Sequence, residues 1–288
     1  MTDMSARLRN NGRTQGGPFA MGALASFGLS ALWAMPAGAE PVDDLFEALR
    51  LPEMIGIMRE EGMAYGDELG HDMFAGSASA RWTGMLDDVY DTTRMEAAVR
   101  EDFAEAIAGT DLDPLLSFFE GETGQRIVGL ELEARRALID DDVEQAARDG
   151  FRAAQVDEDP RLDQLGRFIA VNDLLEANVA GALNASFQFY SGLVDGGAMQ
   201  LSEGDIISDV WAQEEETRYD TEEWLHAFLL MAYDPLDDET LDTYIEVSAS
   251  EEGRALNRAL FSAFNAMYDD LSYALGLVAA QQMQGQDL

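Results

Sequence analysis

The side chains in this sequence that could carry chemistry are two histidines and a large excess of carboxylates. Of the 288 residues, 56 are Asp or Glu, two are His and none is Cys. Glu222 and His226 stand four residues apart, which places them on one face of a helix where a zinc ion could use both. An ordinary charge pair on a helix surface has the same spacing, and the sequence signals no further zinc ligand. We therefore expect the surface pair. The other histidine, His71, falls in a glycine-rich segment over 70–79 that reads as a loop.

The acidic clusters are a weak indication of metal binding. Asp111 and Asp113 lie close together, as do the acidic residues of 140–142, 157–159 and 237–239. None of these runs has the central glycine of the twelve-residue calcium loop, so helix capping and solvated faces explain them better.

Signatures of catalysis are also missing beyond residue 39. Nucleophile elbows, phosphate-binding loops and dinucleotide-binding fingerprints do not occur there. The sequence accordingly predicts no catalytic residue, no metal ligand and no cofactor. A hydrolase or metal-dependent enzyme, assembled from scattered carboxylates and His226, remains an alternative.

A glycine motif occurs twice, as SFFEGETGQRI at 117–127 and as VSASEEGRAL at 247–256. In the second copy Ser250 suits the N-cap of a helix, and Gly253 is then the third helical residue. Glycine costs about 1 kcal/mol relative to alanine inside a helix, so its presence needs a reason. Close packing of a neighbouring helix is one reason, and an anion bound at the bare helix start is another. We favour packing because Glu251 would repel an anion. The residues assigned to this structural motif are Gly121, Gly124, Ser250, Gly253 and Arg254.

Apolar residues recur every three or four positions through most of the chain, which predicts an all-α, bundle-like fold. Three stripes are clearest, over 127–151, 165–190 and 256–278, and the last predicts a helix of about 30 residues. No stretch alternates with the period of a strand. Ser202 and Asp205 have the spacing of a capping box, and Thr221 resembles a helix start because acidic residues follow it.

Two segments of the sequence also resemble each other. Twelve positions between 90 and 141 are identical to the residues 129 places later. The matches include Tyr90, Gly124 and Asp140 with Tyr219, Gly253 and Asp269. A fixed offset of this kind predicts a tandem duplicated helical repeat, with one copy over 40–155 and the other over 160–288.

Each predicted repeat consists of a first helix, a middle helical hairpin and a long terminal helix opened by the glycine motif. The first helices are placed at Leu45–Leu69 and Leu162–Tyr190. A groove between the repeats, or between their long helices, would be the working surface, and methionines such as Met54, Met58 and Met63 could contribute to it.

Residues 1–39 have the pattern of a secretory signal peptide. Arginines at 7, 9 and 13 precede an uncharged apolar run over 19–35. The small residues of 37–39, which end with Ala39, then form a typical cleavage site. The pattern predicts export by the Sec route, cleavage after Ala39 and a periplasmic location. An uncleaved anchor is the competing interpretation.

The charge balance limits the class of partner. The net charge is −38, and all 18 basic residues are arginine. Such a surface repels nucleic-acid phosphates and anionic headgroups, so we expect no nucleic-acid partner and no membrane association once the signal is cleaved. The absence of cysteine removes disulfides and thiol chemistry.

The glycine motif resembles the hallmark of a bacterial family catalogued as domain of unknown function 2059. That hallmark is a Phe-rich segment followed by Ser-Pro-x-Gly-Arg. The second copy here keeps Ser250, Gly253 and Arg254 but has Glu251 where proline is usual. In the first copy the arginine, Arg126, lies one position late.

The segment RFIAVNDLLEANVAGALNASFQFYSGL at 167–193 also resembles longer members of that family. The resemblance implies an all-helical, exported, periplasmic protein and implies no particular reaction. We therefore predict a non-catalytic binding or accessory module for an unknown periplasmic protein or small ligand. A carrier of small hydrophobic molecules is a further alternative.

Overall fold

The structure is a computed structural model that describes residues 39–74 and 80–286. Over these two ranges the protein is all-α, and no strand is present. The predicted signal peptide, apart from Ala39, lies outside the described residues. The helices are α1 (Ala39–Ala48), α2 (Leu51–Met73), α3 (Ala80–Val89), α4 (Thr92–Ala106), α5 (Asp113–Phe119), α6 (Glu122–Ala137), α7 (Asp141–Val156), α8 (Arg161–Val171), α9 (Leu174–Asp195), α10 (Glu203–Trp211), α11 (Glu214–Tyr233), α12 (Asp238–Ala249) and α13 (Glu251–Gln286).

Side-chain caps set several helix starts. Ser202 and Asp205 form the predicted capping box at the start of α10. Asp237 accepts a hydrogen bond from Thr240 N at the start of α12. The helix start predicted at Thr221 is wrong: α11 begins earlier, at Glu214, and Thr221 lies buried within it. The acidic residues Glu214, Glu215 and Glu216 already occupy the first turn of α11. Their negative charges interact favourably with the positive end of the helix dipole and so stabilise a start at this point.

Both predicted first helices are broken where the sequence suggests continuity. Arg50 separates α1 from α2, and Asp173 separates α8 from α9. The two residues adopt left-handed conformations, with φ of 52° and 53°. A single left-handed residue ends one helix and redirects the next, yet the apolar spacing continues across it. The periodicity therefore conceals both breaks.

The long terminal helix predicted for the first repeat is also two helices. Helix α6 ends at Ala137, and Asp140 caps α7, accepting from Asp142 N at 3.0 Å and from Val143 N at 3.3 Å. In the second half the equivalent Asp269 lies inside α13, which continues unbroken to Gln286. The same residue type is thus an N-cap in one half and a residue inside a helix in the other.

The predicted loop over 70–79 begins later than expected, because α2 extends to Met73. Glycines spaced by four along α2 pack against large side chains of α3 and against Tyr90, which follows α3. A Cβ atom would lie 2.3 Å from the Tyr90 ring at Gly62, 2.6 Å from Leu86 at Gly66 and 2.5 Å from Trp82 at Gly70. Trp82 also donates to the Gly66 carbonyl oxygen at 2.9 Å. This packing keeps α2 helical through the glycines.

The hydrophobic core mixes the two halves of the chain. One large cluster combines Phe46 and Phe103 with Met267 of α13, and another combines Ile127 of α6 with Leu229 and Tyr233 of α11. Thus α4 packs on α13, and α11 packs on α6 and α7. Each half supplies the surface on which a helix of the other half is buried.

The contacts within one half recur in the other. Helix α2 packs on α3, α4 and α6, while α9 packs on α10, α11 and α13. Similarly, α1 contacts α5, and α8 contacts α12. In the described parts of the chain, no helix is long and apolar enough to span a lipid bilayer.

Candidate ligand-binding cavity

A cavity of about 280 Å³ lies between α2, α6, α9, α11 and α13. Both halves line it. Leu51 and Leu174 each follow the left-handed residue of their half, and Leu132 and Phe261 are 129 residues apart. The cavity therefore lies where the two halves meet.

The walls of the cavity are mainly apolar and rich in aromatic side chains. Met54, Met58 and Phe119 come from the first half, and Trp224, Phe228, Phe261 and Phe264 come from the second. Two of the methionines singled out by the sequence thus contribute to the cavity. Met63 instead packs against the first hydrophobic cluster.

One carboxylate, Glu131 of α6, lies among these apolar walls. Its Oε1 accepts hydrogen bonds from the hydroxyl groups of Tyr233 at 2.6 Å and of Tyr244 at 3.2 Å. Burial raises the pKa of Glu131, while the two tyrosine hydrogen bonds act in the opposite direction. Among the described residues, Oε2 of Glu131 has no hydrogen-bond partner. The cavity lining therefore includes a carboxylate oxygen that is free to accept.

Arg135 lies one turn further along α6 and also borders the cavity. Its Nε and Nη2 bind the two carboxylate oxygens of Glu61 at 2.7 and 2.8 Å, and Nη2 donates to the Tyr268 hydroxyl at 3.2 Å. Burial alone would lower the pKa of Arg135, but the Glu61 charge outweighs it and raises that pKa above its usual range. Arg135 is therefore a cation that another carboxylate already neutralises.

Aromatic packing fixes the tyrosine hydroxyl groups beside Glu131. The Tyr244 ring is stacked on Phe118 with centroids 5.8 Å apart and lies 5.1 Å from Phe168. The Tyr233 ring meets Phe168 edge to face at 5.6 Å. Because these rings are held on several sides, the two donors stay directed at the carboxylate.

The glycine motif borders this site and serves as a helix junction. A Cβ atom on Gly124 would lie 2.3 Å from the Phe118 carbonyl oxygen, and one on Gly253 would lie 2.1 Å from that of Val247. The two oxygens are themselves equivalent under the 129-residue offset. At both junctions the close neighbour is the last turn of the preceding helix, so only glycine fits there. Gly253 also lines the cavity.

The N-caps of the two junctions share their backbone conformation. Gly121 has φ −70° and ψ 161°, and Ser250 has φ −63° and ψ 167°. The Ser250 hydroxyl accepts from Gly253 N at 2.9 Å and donates to the Val247 carbonyl at 2.7 Å. Because that amide is already capped, an anion would have to displace the serine. Arg254 is exposed and lies outside the cavity lining.

The histidines lie away from the cavity lining. His226 stacks on Phe151 at 4.8 Å, and its Nδ1 lies 2.8 Å from the carbonyl oxygen of Glu222. The surface charge pair expected between Glu222 and His226 is not the contact found. His71 similarly contacts the Asp67 carbonyl oxygen at 2.8 Å from within α2. Over residues 39–74 and 80–286, no three His, Asp or Glu side chains cluster as a metal site would need.

Sequence reasoning missed Glu131 and Arg135, although a signal was present. Ile127, Leu130 and Ala134 belong to the apolar stripe of α6, and Glu131 follows Ile127 by four residues. It therefore occupies a position on the apolar face where a carboxylate is unexpected. In so acidic a chain, a single carboxylate did not stand out from the rest.

Known proteins offer no guide to this site. No protein-family model, no curated protein sequence and no solved structure matches the chain. A functional assignment has to come from the cavity itself.

Proposed function

We propose that this protein is a non-catalytic binding protein that holds a small, mostly apolar molecule in the cavity between its two halves. The observation that carries the proposal is the cavity of about 280 Å³ itself, with apolar walls and a few polar groups. Small-molecule sites in proteins commonly combine these two features. The proposal combines two hypotheses from the sequence: a non-catalytic binding module and a carrier of small hydrophobic molecules.

The cavity volume sets the size of the ligand. An apolar cavity of about 150 Å³ accommodates benzene, so a volume nearly twice as large suits a molecule of roughly ten non-hydrogen atoms. The cavity opens to solvent, so a small molecule can enter it and contact its apolar walls. A bound molecule would stabilise the fold by mass action.

The hydrolase alternative has less support. A nucleophile is normally activated by a general base within hydrogen-bonding reach. The charged lining residues, Glu131 and Arg135, are instead held by tyrosines and by Glu61. Neither histidine is part of the lining, so the geometry favours binding.

The location and ancestry of the protein belong to the same proposal. The basic and apolar pattern of residues 1–39 supports export to the periplasm, where a ligand carrier would act. The recurring helix contacts, the matched left-handed residues and the matched glycine junctions support a tandem duplication of one helical unit. The motif at Ser250, Gly253 and Arg254 supports membership of the family of unknown function that it resembles.

Calorimetric titration with n-propylbenzene and 2-phenylethanol, which have nine non-hydrogen atoms each, would test the proposed function. We expect saturable binding to the intact protein and its loss in Ala177→Phe, which places a ring inside the cavity lining. Ala180→Phe is the matched control, because Ala180 is exposed on the same helix.

Two outcomes of the titrations would contradict the proposal. Absence of binding by the wild-type protein would contradict it, as would an unchanged affinity in a folded Ala177→Phe variant. Circular dichroism spectra of both variants establish that they are folded before the titrations are compared.

A further inference from the structure

The polar part of the cavity lining indicates which head group the ligand carries. We propose that the ligand is an apolar amine whose ammonium group binds the free carboxylate oxygen of Glu131. The inference rests on the proposed function and deepens it, because it assigns a chemical class to the molecule in the cavity.

Glu131 lacks a counter-ion within the described residues. The ion pairs of α6 join Arg135 to Glu61, and Arg136 to Glu53 and Glu60, and none reaches Glu131. The hydrogen-bond partners of Glu131 are two neutral tyrosines. Glu131 is half-buried among apolar walls, and a carboxylate in such surroundings loses part of its hydration without gaining a cation in return. An ammonium group in the cavity would supply the missing charge.

The hydrogen-bond geometry leaves room for such a partner. Both tyrosine hydroxyl groups donate to Oε1 of Glu131, and Oε2 accepts nothing from the described residues. An ammonium group carries three donors and no acceptor, which suits an oxygen with unused lone pairs. The tyrosines would keep the carboxylate in place while the ligand binds its other oxygen.

An anionic head group does not suit the site. The charged residues of the lining are Glu131 and Arg135, and Glu61 binds Arg135 through two hydrogen bonds. The three groups together carry a net negative charge. A carboxylate ligand would have to compete with Glu61 for the arginine while lying one helical turn from Glu131.

The aromatic walls suit a cation as well. Trp224, Phe228, Phe261 and Phe264 border the cavity, and the rings of Trp224 and Phe228 are stacked at 5.3 Å. The faces of such rings attract ammonium groups through the negative charge of their π-electrons. At longer range, the net charge of −38 draws cations towards the protein.

A matched ligand series would test the inference. The probes are 2-phenylethylamine, 2-phenylethanol, n-propylbenzene and phenylacetate, which share a phenyl ring and differ mainly in their head group. Calorimetry at pH 7 is expected to give 2-phenylethylamine an affinity about tenfold or more above that of n-propylbenzene, as a charged hydrogen bond allows. Phenylacetate is expected to bind more weakly than n-propylbenzene.

Substitution of the carboxylate provides the second arm. Glu131→Gln is expected to bring 2-phenylethylamine to within about threefold of n-propylbenzene, because the amide carries no charge. Glu133→Gln, on the exposed face of the same helix, should retain the wild-type preference. The comparison of the four probes on wild-type protein remains decisive if Glu131→Gln does not fold.

The outcomes separate the inference from the proposed function. Binding of n-propylbenzene or 2-phenylethanol at least as tight as that of the amine would overturn the inference and leave the proposed function intact. Tightest binding of phenylacetate would also overturn it. If none of the four probes binds, the proposed function fails, and the inference fails with it.

Discussion

Two buried carboxylates have pKa values that their surroundings shift in opposite directions. Asp269 of α13 is 2% exposed, accepts one hydrogen bond from Gln188 at 2.9 Å, and leaves Oδ1 without a partner. Burial raises the pKa of Asp269 to about 7, with Asp270 adding to the effect. Glu223 of α11 receives hydrogen bonds from Arg148 and Arg152 at 2.6 to 3.0 Å. Burial opposes ionisation there too, but the arginines lower the pKa of Glu223 overall.

The pKa of Asp269 predicts how stability depends on pH. Because the folded-state pKa lies above the unfolded value, the native state binds the extra proton between about pH 4 and pH 7, and stability falls as pH rises through that window. We expect Asp269→Asn to raise the free energy of unfolding at pH 8 by on the order of 2 kcal/mol and to change it little at pH 4. Urea denaturation at the two pH values measures both. The exposed neighbour Asp270→Asn is the control, and an equal gain there would contradict the prediction.

The Glu223 cluster predicts the opposite dependence. Its folded-state pKa is lowered, so its contribution is present above the unfolded value near pH 4.5 and is lost as pH falls through the folded value. Glu223→Gln should lower the free energy of unfolding at pH 7 by about 2 kcal/mol, because Arg148 is 6% exposed and loses a charged partner. Glu222→Gln, an exposed neighbour, should have little effect. A variant with unchanged stability at pH 7 would show that the cluster does not stabilise the fold.

At the scale of helices, the junction glycines are the part of the fold that the sequence specified best. The sequence predicted the third-position glycine, its close packing and the Ser250 cap. The structure has the close-packed glycine at both α5–α6 and α12–α13, and the serine cap at α12–α13, where Ser250 accepts from Gly253 N. The preceding helix turn, through the carbonyl oxygens of Phe118 and Val247, makes the contact. Local signals sufficed because the contact joins residues only six positions apart.

Those glycines give a paired prediction. Gly124→Ala and Gly253→Ala should each lower the free energy of unfolding by about 1–3 kcal/mol, because the new methyl group would overlap a backbone oxygen. Gly150→Ala, at an exposed position in α7 with open space around it, should instead stabilise by about 0.5–1 kcal/mol. Thermal denaturation of the three variants compares them directly. If all three variants changed the free energy of unfolding in the same direction and by similar amounts, helix propensity, and not the close contact, would govern these positions.

The breaks at Arg50, Asp140 and Asp173 were not predictable by the same means. A left-handed residue or a competing cap interrupts a helix without disturbing the apolar period on either side. Asp140 and Asp269 demonstrate the ambiguity, since one aspartate caps α7 and its counterpart lies within α13. In α13, the Asp269 carboxylate accepts a hydrogen bond from Gln188 of α9 and does not cap a helix.

At the scale of the whole molecule, the two halves are interlocked. Helix α4 of the first half is buried against α13, and α11 of the second half is buried against α6 and α7. A half on its own would expose the apolar side chains that the other half covers, such as Phe103, Leu229 and Met267. Exposure of that much apolar surface removes the main driving force for folding.

The interlocking predicts that neither half folds alone. Residues 40–157 and 160–286, expressed separately, should show little helical circular dichroism and no cooperative thermal transition. The control is the full chain with a protease site inserted between α7 and α8. After cleavage, its two pieces should stay associated and helical in size-exclusion chromatography. An isolated half with a sharp thermal transition would disprove the interlocked arrangement as the basis of stability.

By itself, the sequence determined the features that depend on near neighbours. The 3.6-residue apolar period gave the all-α class, the motif at Gly253 gave a helix junction, and the spacing of Ser202 and Asp205 gave a cap. These signals are local because hydrogen bonds and side-chain contacts within a helix join residues three or four positions apart. The two repeats predicted from the 129-residue offset stay a prediction.

The tertiary structure alone decided where the cavity lies and which charges face it. Glu131 meets Tyr233 and Tyr244, and Arg135 meets Glu61, across separations of more than 70 residues. In a chain with 56 carboxylates, position in the sequence does not distinguish a buried acid from a solvated one. That distinction arises when helices of both halves pack around α6 and place one of its carboxylates among apolar walls, because the free energy of a charge depends on what surrounds it.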